Sequence, residues 1–278
     1  MTNIGEVVHI IPLGHEIDRA IAPFLKRKAD RVYVLAIPEN TDLDPVMTQK
    51  QFFFLRKVMQ RFNELGIPAE YRPVNMFNVL DVLKEVSFLI RKEKDQGNTV
   101  YVNMSSCGRQ TSIPVTMAAM VHEVNAYYVK ADRYATGELS SLESEHGLSI
   151  VEDVRTDWIF NFKIMMPKRE SVKFLVELYK RSEQGINEMS SSDIIRFFHK
   201  EGVPGFDKLP EEKPRYEAAK QNRILLNRTT RGYLKDLEDI GYIEKKWRGR
   251  EFYITITKGG EHIACVSGII GKEHAALV

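Results

Sequence analysis

The sequence predicts an α/β protein: a parallel sheet with helices on both faces, followed by a smaller domain of three helices and a β-hairpin. Three observations carry this. Short apolar runs alternate five times with amphipathic stretches over residues 7–129, and such alternation builds a parallel sheet by crossover connections. The apolar runs are continuous, as burial on both faces requires. Beyond Pro167 the pattern changes to helices that end in the hairpin sequence GYIEKKWRGREFYITIT.

The elements follow in order. Residues 7–11 read as a strand that ends at Pro12-Leu13-Gly14. Asp18 is placed to cap a helix over 19–28, and 32–37 is a second strand closed by Pro38. A long helix over 44–65 ends at Gly66, with Phe53, Leu55, Val58, Met59 and Phe62 inward. Residues 69–73 form a weaker strand, 79–96 a helix, 100–104 a strand, 110–124 a helix and 126–129 a fifth strand. Residues 137–167 read as a linker between domains, with an apolar stretch over 158–166 expected to pack between them. The expected division is therefore 1–136, 137–167 and 168–278.

Composition bounds the function. The chain has 278 residues, of which 43% are hydrophobic and 28% charged, enough for two ordinary domains. Two distant cysteines, Cys107 and Cys265, argue against a disulfide framework or thiolate zinc site and fit a cytoplasmic protein. The N-terminal residues show no signal-peptide pattern, and no apolar run approaches the ~20 residues of a membrane span. Neither GxGxxG nor GxxxxGK[ST] occurs, which disfavours a dinucleotide enzyme or P-loop NTPase; no cofactor or metal cluster is expected. Net charge is +2 but uneven: residues 167–278 hold 21 Lys and Arg against 17 Asp and Glu. Within 213–235 seven basic residues meet one acid, Glu217, which suits a polyanion partner.

The chemistry concentrates at TVYVNMSSCGRQTSI, residues 99–113: strand, polar turn, helix start. The first amides of a helix lack intrahelical partners and carry partial positive charge, so they bind anions. Gly108 permits close approach, Arg109 adds a permanent cationic fork, and Ser105, Ser106, Gln110 and Thr111 add neutral hydrogen-bonding groups. A phosphate-bearing ligand over this turn is one reading; serines that only cap the helix are the other. In a parallel sheet, ligands sit beyond the strands' carboxyl ends, which would gather loops 12–18, 38–43, 74–78 and 105–111.

In the C-terminal part, helices are expected over 170–181 and 193–200, helical residues over 217–226, and Asn227 as cap of a helix over 228–240. Strands over 242–247 and 251–257 follow, then a final helix or apolar tail. This is the winged helix-turn-helix layout, whose third helix enters the major groove of double-stranded DNA while the wing meets backbone or minor groove. Asn227, Arg228, Thr229, Thr230, Arg231 and Lys235 would face DNA, and Lys245, Lys246, Arg248 and Arg250 would hold phosphates from the hairpin.

HIIPLGHEIDRAIAPF, YVNMSSCGRQTS and YYVKADRY joined to a winged helix resemble the archaeal transcriptional regulators that couple a CARF (CRISPR-associated Rossmann fold) domain to a winged helix. The resemblance covers nearly the whole chain. It implies a homodimer that senses a cyclic oligoadenylate, the tetramer favoured by its matching symmetry, on the two-fold axis. Carried onto this chain, Leu13, Gly14, His15 and Glu16 of the first loop would join Asn103, Ser105, Ser106, Gly108, Arg109 and Thr111 of the fourth. Arg109 and the helix start would hold phosphates, with Ser and Asn at ribose or base edges. Glu16 departs from this pattern as an acid beside an anion, unless it meets adenine amino groups or points away. Some CARF domains cleave their ligand, and His15, Ser105, Ser106 and Arg109 are the residues that could do so here. An RNase effector of the HEPN type is disfavoured, because no Arg has a His four to six residues on. Cys107, beside Arg109, is either a small hydrophobe or a thiol of lowered pKa.

Overall fold

The computed structural model describes residues 5–39, 43–249 and 251–271. It divides into two compact units, residues 1–164 with 270–278, and 165–269.

The first unit is built on a six-stranded sheet. Its strands are β1 (Val7–Pro12), β2 (Arg31–Ala36), β3 (Ala69–Pro73), β4 (Thr99–Asn103), β5 (Asn125–Val129) and β8 (Thr156–Ile159), in the spatial order β3-β2-β1-β4-β5-β8. The first five pair in parallel and β8 antiparallel to β5. Val8, Ile10, Ile11, Val32, Val34, Val102 and Ala126 are fully buried, as the continuous apolar runs require. Between β1 and β2 lies α1 (Asp18–Ile21), which tightens at once into a 3₁₀ turn over Ala22–Leu25. The expected helix over 19–28 is cut short at Pro23, which lacks an N–H for the α-helical ladder.

The long helices start where side chains satisfy their first amides. Asp44 accepts from Val46 N (2.9 Å) and Met47 N (3.0 Å) to open α2 (Pro45–Glu64). Asn78 does the same for α3 (Val79–Asp95), accepting from Leu80 N and Asp81 N. The helix after β4, α4 (Arg109–Val121), has no such side-chain cap.

The segment expected as a linker folds into this unit. It contains β6 (Arg133–Tyr134), a 3₁₀ turn over Gly137–Leu142, α5 (Glu143–His146), β7 (Ser149–Ile150) and β8. Trp158 on β8 packs against Tyr101 (5.5 Å) and Tyr127 (5.7 Å), with Arg27 over its ring at 4.6 Å. The sequence boundary at Pro167 therefore stands close to the structural one, but 137–164 is sheet and clamp. Phe160 and Phe162, expected to pack, are exposed.

The second unit holds α6 (Arg169–Glu183), β9 (Met189–Ser190), α7 (Ser191–Lys200), a long helix from Arg215 to Ile240, the hairpin β10 (Ile243–Arg248) and β11 (Glu251–Ile256), and α10 (Lys258–Val266). The three-stranded sheet runs β10-β11-β9. The long helix comprises α8 (Arg215–Thr229), a π-helical turn over Thr230–Leu234 and α9 (Lys235–Ile240). Asn227 lies inside it and caps nothing, which corrects the expected start at 228. The break in the sequence pattern there comes from the π turn, which shifts the register of the buried face. Phe174, Phe198, Leu225, Leu234, Leu237 and Ile254 form the core.

Candidate ligand site and nucleic-acid interface

Chain connectivity reverses direction between β1 and β4: β1 leads outward to β2 and β3, and the chain returns to β1's other side as β4. In parallel sheets the loops that follow two such strands are where ligands bind. Both loops carry predicted ligand residues, and the structure brings them into contact. Gly14 N donates to Ser106 O at 2.7 Å. A Cβ on Gly14 would stand 3.4 Å from Ser106 O and 3.5 Å from Cys107 Cα, in ordinary van der Waals contact with the second loop. Loop 74–78 joins them: Thr111 Oγ1 donates to Met76 O (2.8 Å) and Gln110 Nε2 to Phe77 O (3.1 Å). Residues 40–42 of the remaining loop lie outside the described residues.

Most of the polar groups expected to meet a ligand are used to build this floor. Asn103 is fully buried; its Nδ2 donates to Arg19 O (2.9 Å), and its Oδ1 accepts from Ser105 N (2.9 Å) and Ser105 Oγ (2.6 Å). Ser105 Oγ also accepts from Val129 N (3.1 Å). Ser106 Oγ donates to Pro12 O at 2.8 Å, and Leu13 is fully buried with its carbonyl accepting from Gln51 Nε2. Asn103, Ser105, Ser106 and Thr111 thus bond within the protein, and Leu13 is buried beneath them. They hold the turn. Neither serine caps α4, which disposes of the capping alternative as well. With both hydroxyls committed, the ligand-cleaving alternative loses two of its four named groups.

Glu16 is buried and turned toward residues 143–151, in keeping with the second of the two alternatives open for it. It accepts from Ser149 N (3.0 Å) and Ser149 Oγ (2.7 Å), and Arg19 Nη1 lies at 3.4 Å. Burial raises its pKa, opposed by the Ser149 hydrogen bonds and the Arg19 charge. Gly147 permits this clamp: at φ +83° it approaches Glu16 Cα so closely that a Cβ would stand 2.7 Å away. Asp18 accepts from Val151 N and pairs with His146 Nδ1, both at 2.9 Å. The buried Arg19 guanidinium ties the loops together, donating to Tyr128 OH (2.9 Å) and Ser105 O (3.4 Å). The clamp of residues 143–151 was missed in the sequence because its partners lie some 130 positions upstream; the GLS turn after α5 was its one local sign.

What stays open is narrower than the predicted set. Gly108 and Arg109 are exposed at the start of α4, the Arg109 and Gln110 amides have no capping side chain, and the Arg109 guanidinium has no polar partner among the described residues. His15 is half-buried and stacked on Phe54 at 5.2 Å; burial and the nearby Lys50 charge lower its pKa, opposed by Glu143. Cys107 is no reactive thiol: burial pushes it up to about 12. A cavity of about 350 Å³ lies elsewhere, beside α2, lined by Lys57, Gln60, Arg61, Glu64, Ser144 and Glu145. Among the described residues no group of three His, Cys, Asp or Glu could hold a metal, and no helix is long and apolar enough to cross a membrane.

On the second unit, Asn227, Arg228, Arg231 and Lys235 are exposed on the long helix, as expected for DNA contact. Thr229 is not: it is fully buried on the opposite face beside Leu225, and Thr230 is only half-exposed within the π turn. Arg228 Nη1 donates to Gly205 O and so also fastens the preceding loop. On the hairpin, Lys246 is exposed with Glu244 at 3.6 Å, and Lys245 Nζ lies over the Phe252 ring at 4.4 Å. Arg248 makes a two-pronged pair with Glu188 (2.7 and 2.6 Å), which cancels the charge expected to meet phosphate. Arg250 lies outside the described residues.

Residues 7–134 match the family described as "HFX_2341_N-like, N-terminal", and residues 170–268 match the DUF6293 C-terminal winged helix domain. The chain is thus similar to an HFX_2341_N-like domain over its first part and to a DUF6293 winged helix over its last. This pairing bears out the two-domain family read from the sequence. A curated relative, the uncharacterized protein MJ1513 of Methanocaldococcus jannaschii, is 25% identical over 199 residues, or 64% of this chain; the match spans 58% of the relative's length. Among solved structures, Enterococcus italicus Csm6 bound to cyclic hexa-2′-fluoro-hexa-dAMP is 14% identical, with 85% of this chain and 56% of that one covered at TM-score 0.39. Can2 of Sulfobacillus thermosulfidooxidans in complex with cyclic tetra-adenylate is 10% identical, with 92% and 61% covered at TM-score 0.38. Likeness this distant leaves the fold resting on the strand order itself.

Proposed function

We propose that this chain is a ligand-responsive DNA-binding regulator that acts as a homodimer. The first unit senses a phosphate-bearing effector, for which the sequence resemblance favours cyclic tetra-adenylate, and the winged helix binds double-stranded DNA. The observation that carries the sensing half is the uncapped start of α4 with exposed Arg109, whose guanidinium has no polar partner among the described residues, set at the point where strand order reverses. Two donors of fixed direction and one permanent cation suit a phosphate diester. The buried hydrogen-bonded floor beneath them holds that geometry before ligand arrives, which reduces the ordering cost of binding.

Effector binding would work by population shift: it favours one placement of the two protomers, and so one separation of their recognition helices, which must match half-sites about 34–36 Å apart. Mobility-shift titrations of promoter DNA with and without cyclic tetra-adenylate test the division of labour. Arg109→Ala should abolish the response to the nucleotide and leave basal DNA binding. Arg231→Ala should weaken DNA binding with nucleotide binding intact. Loss of DNA binding in a folded Arg109→Ala protein would overturn the reading.

A further inference from the structure

The long helix presents a second feature that its basic residues alone do not explain. Lys220, Arg223, Ile224, Asn227 and Arg231 are all exposed and follow the spacing of one helical face, while Leu225 and Thr229 are buried on the opposite one. Ile224 sits in the middle of that face and is 45% exposed. Its neighbours one turn away are Lys220, Asn227 and Arg228, and Arg223 adjoins it; no acidic side chain interrupts the face between Lys220 and Arg231. A single exposed isoleucine is ordinary on a protein surface. An isoleucine ringed by cations and one Asn on the outer face of a winged helix's long helix has a partner of defined chemistry. The major groove of a DNA duplex offers phosphates to the cations, base edges to Arg and Asn, and one kind of apolar group, the C5 methyl of thymine.

Resting on the DNA-binding reading above, we infer that the reading head is the helix stretch 220–227, upstream of the 227–235 stretch singled out from sequence, with Ile224 packing on a thymine methyl. The stretch is about 10 Å long at 1.5 Å per residue, room for about three base pairs. Asn227 and Arg223 then flank the thymine and read adenine and guanine edges. Charge complementarity commits the face to nucleic acid, and the methyl separates double-stranded DNA from RNA.

The test uses the full chain and a duplex selected by it from a random library. Each thymine in the selected site is replaced in turn by deoxyuridine, which removes only the methyl and keeps base pairing. The wild-type protein should lose about fourfold in affinity at one position, the worth of one buried methyl. Ile224→Ala should bind the original duplex about fourfold more weakly and be indifferent to the substitution at that position, whereas Lys235→Ala should keep the wild-type sensitivity. Indifference of the wild-type protein to every replacement, or unchanged sensitivity in Ile224→Ala, overturns the assignment of Ile224 and leaves DNA binding standing. Failure of the wild-type protein to retain any duplex overturns DNA binding itself, and this inference with it.

Discussion

The turn before α4 and the face of the long helix are both rich in polar side chains, yet they use them in opposite ways. At the turn, Asn103, Ser105, Ser106, Thr111, Glu16 and Arg19 are buried and hydrogen-bonded within the protein, while Arg109 and the first amides of α4 have no side-chain partner among the described residues. On the helix, Lys220, Arg223, Asn227 and Arg231 point outward and have no partner among the described residues. At the first, a buried network fixes the backbone amides to which the proposed ligand is assigned. The second is a display of side chains on a rigid rod. A polar residue in a predicted binding loop is therefore poor evidence for ligand contact, while a polar residue on an exposed helical face at regular spacing is better.

If that contrast holds, removing a polar group at the turn should cost stability, and removing one from the helix should cost only DNA affinity. The largest effect is expected for Arg19→Ala, which strips the buried Glu16 of its cation and frees Tyr128 OH; unfolding in urea should show a loss of about 3 kcal/mol in the first unit. Wild-type stability at that position would mean the network is ornamental.

A comparable effect is expected from pH. Burial, with the Arg27 charge, lowers His9 from 6.5 to about 4. A histidine depressed in the folded state stabilises above its unfolded value, and that contribution is lost as pH falls from about 6.5 through about 4. The loss should reach about 3 kcal/mol over that window, at 1.36 kcal/mol per pH unit. His9→Phe, replacing the ring against Phe24 and Tyr127, should flatten that part of the stability profile.

Arg109→Ala should separate the two roles at the turn. Nucleotide affinity should fall by about 1.5–3 kcal/mol, the worth of a charge-assisted hydrogen bond, with stability changed by less than about 0.5 kcal/mol. The smallest effects are expected on the second unit. Lys246→Ala should reduce the salt dependence of DNA binding by about one counterion, whereas Arg248→Ala, whose charge is already taken by Glu188, should leave the salt slope unchanged. Equal slopes for the two variants would contradict the hairpin assignment.

The legibility of the sequence follows the same contrast. The five parallel strands, the two domains and the position of α4 were readable because burial on two faces leaves continuous apolar runs such as VVHII and RVYVLA. The clamp at residues 143–151 was not, because Ser149 and His146 find Glu16 and Asp18 across the sequence, and polar pairing leaves no periodicity. The long helix was split at Asn227 because the π turn over Thr230–Leu234 breaks the 3.6-residue repeat that periodicity detects. Lys220 and Arg223 fall within the basic run over 213–235, but the split at Asn227 keeps them off the helix expected to meet DNA.

Calorimetric titration of the purified protein with cyclic tetra-adenylate, beside linear oligoadenylate and mononucleotide controls, tests the central claim most directly. The expected result is selective binding of one cyclic molecule per two chains, weakened about ten- to hundredfold in Arg109→Ala. Absence of binding in a protein that still shifts promoter DNA would contradict it and leave a winged-helix regulator with a different effector.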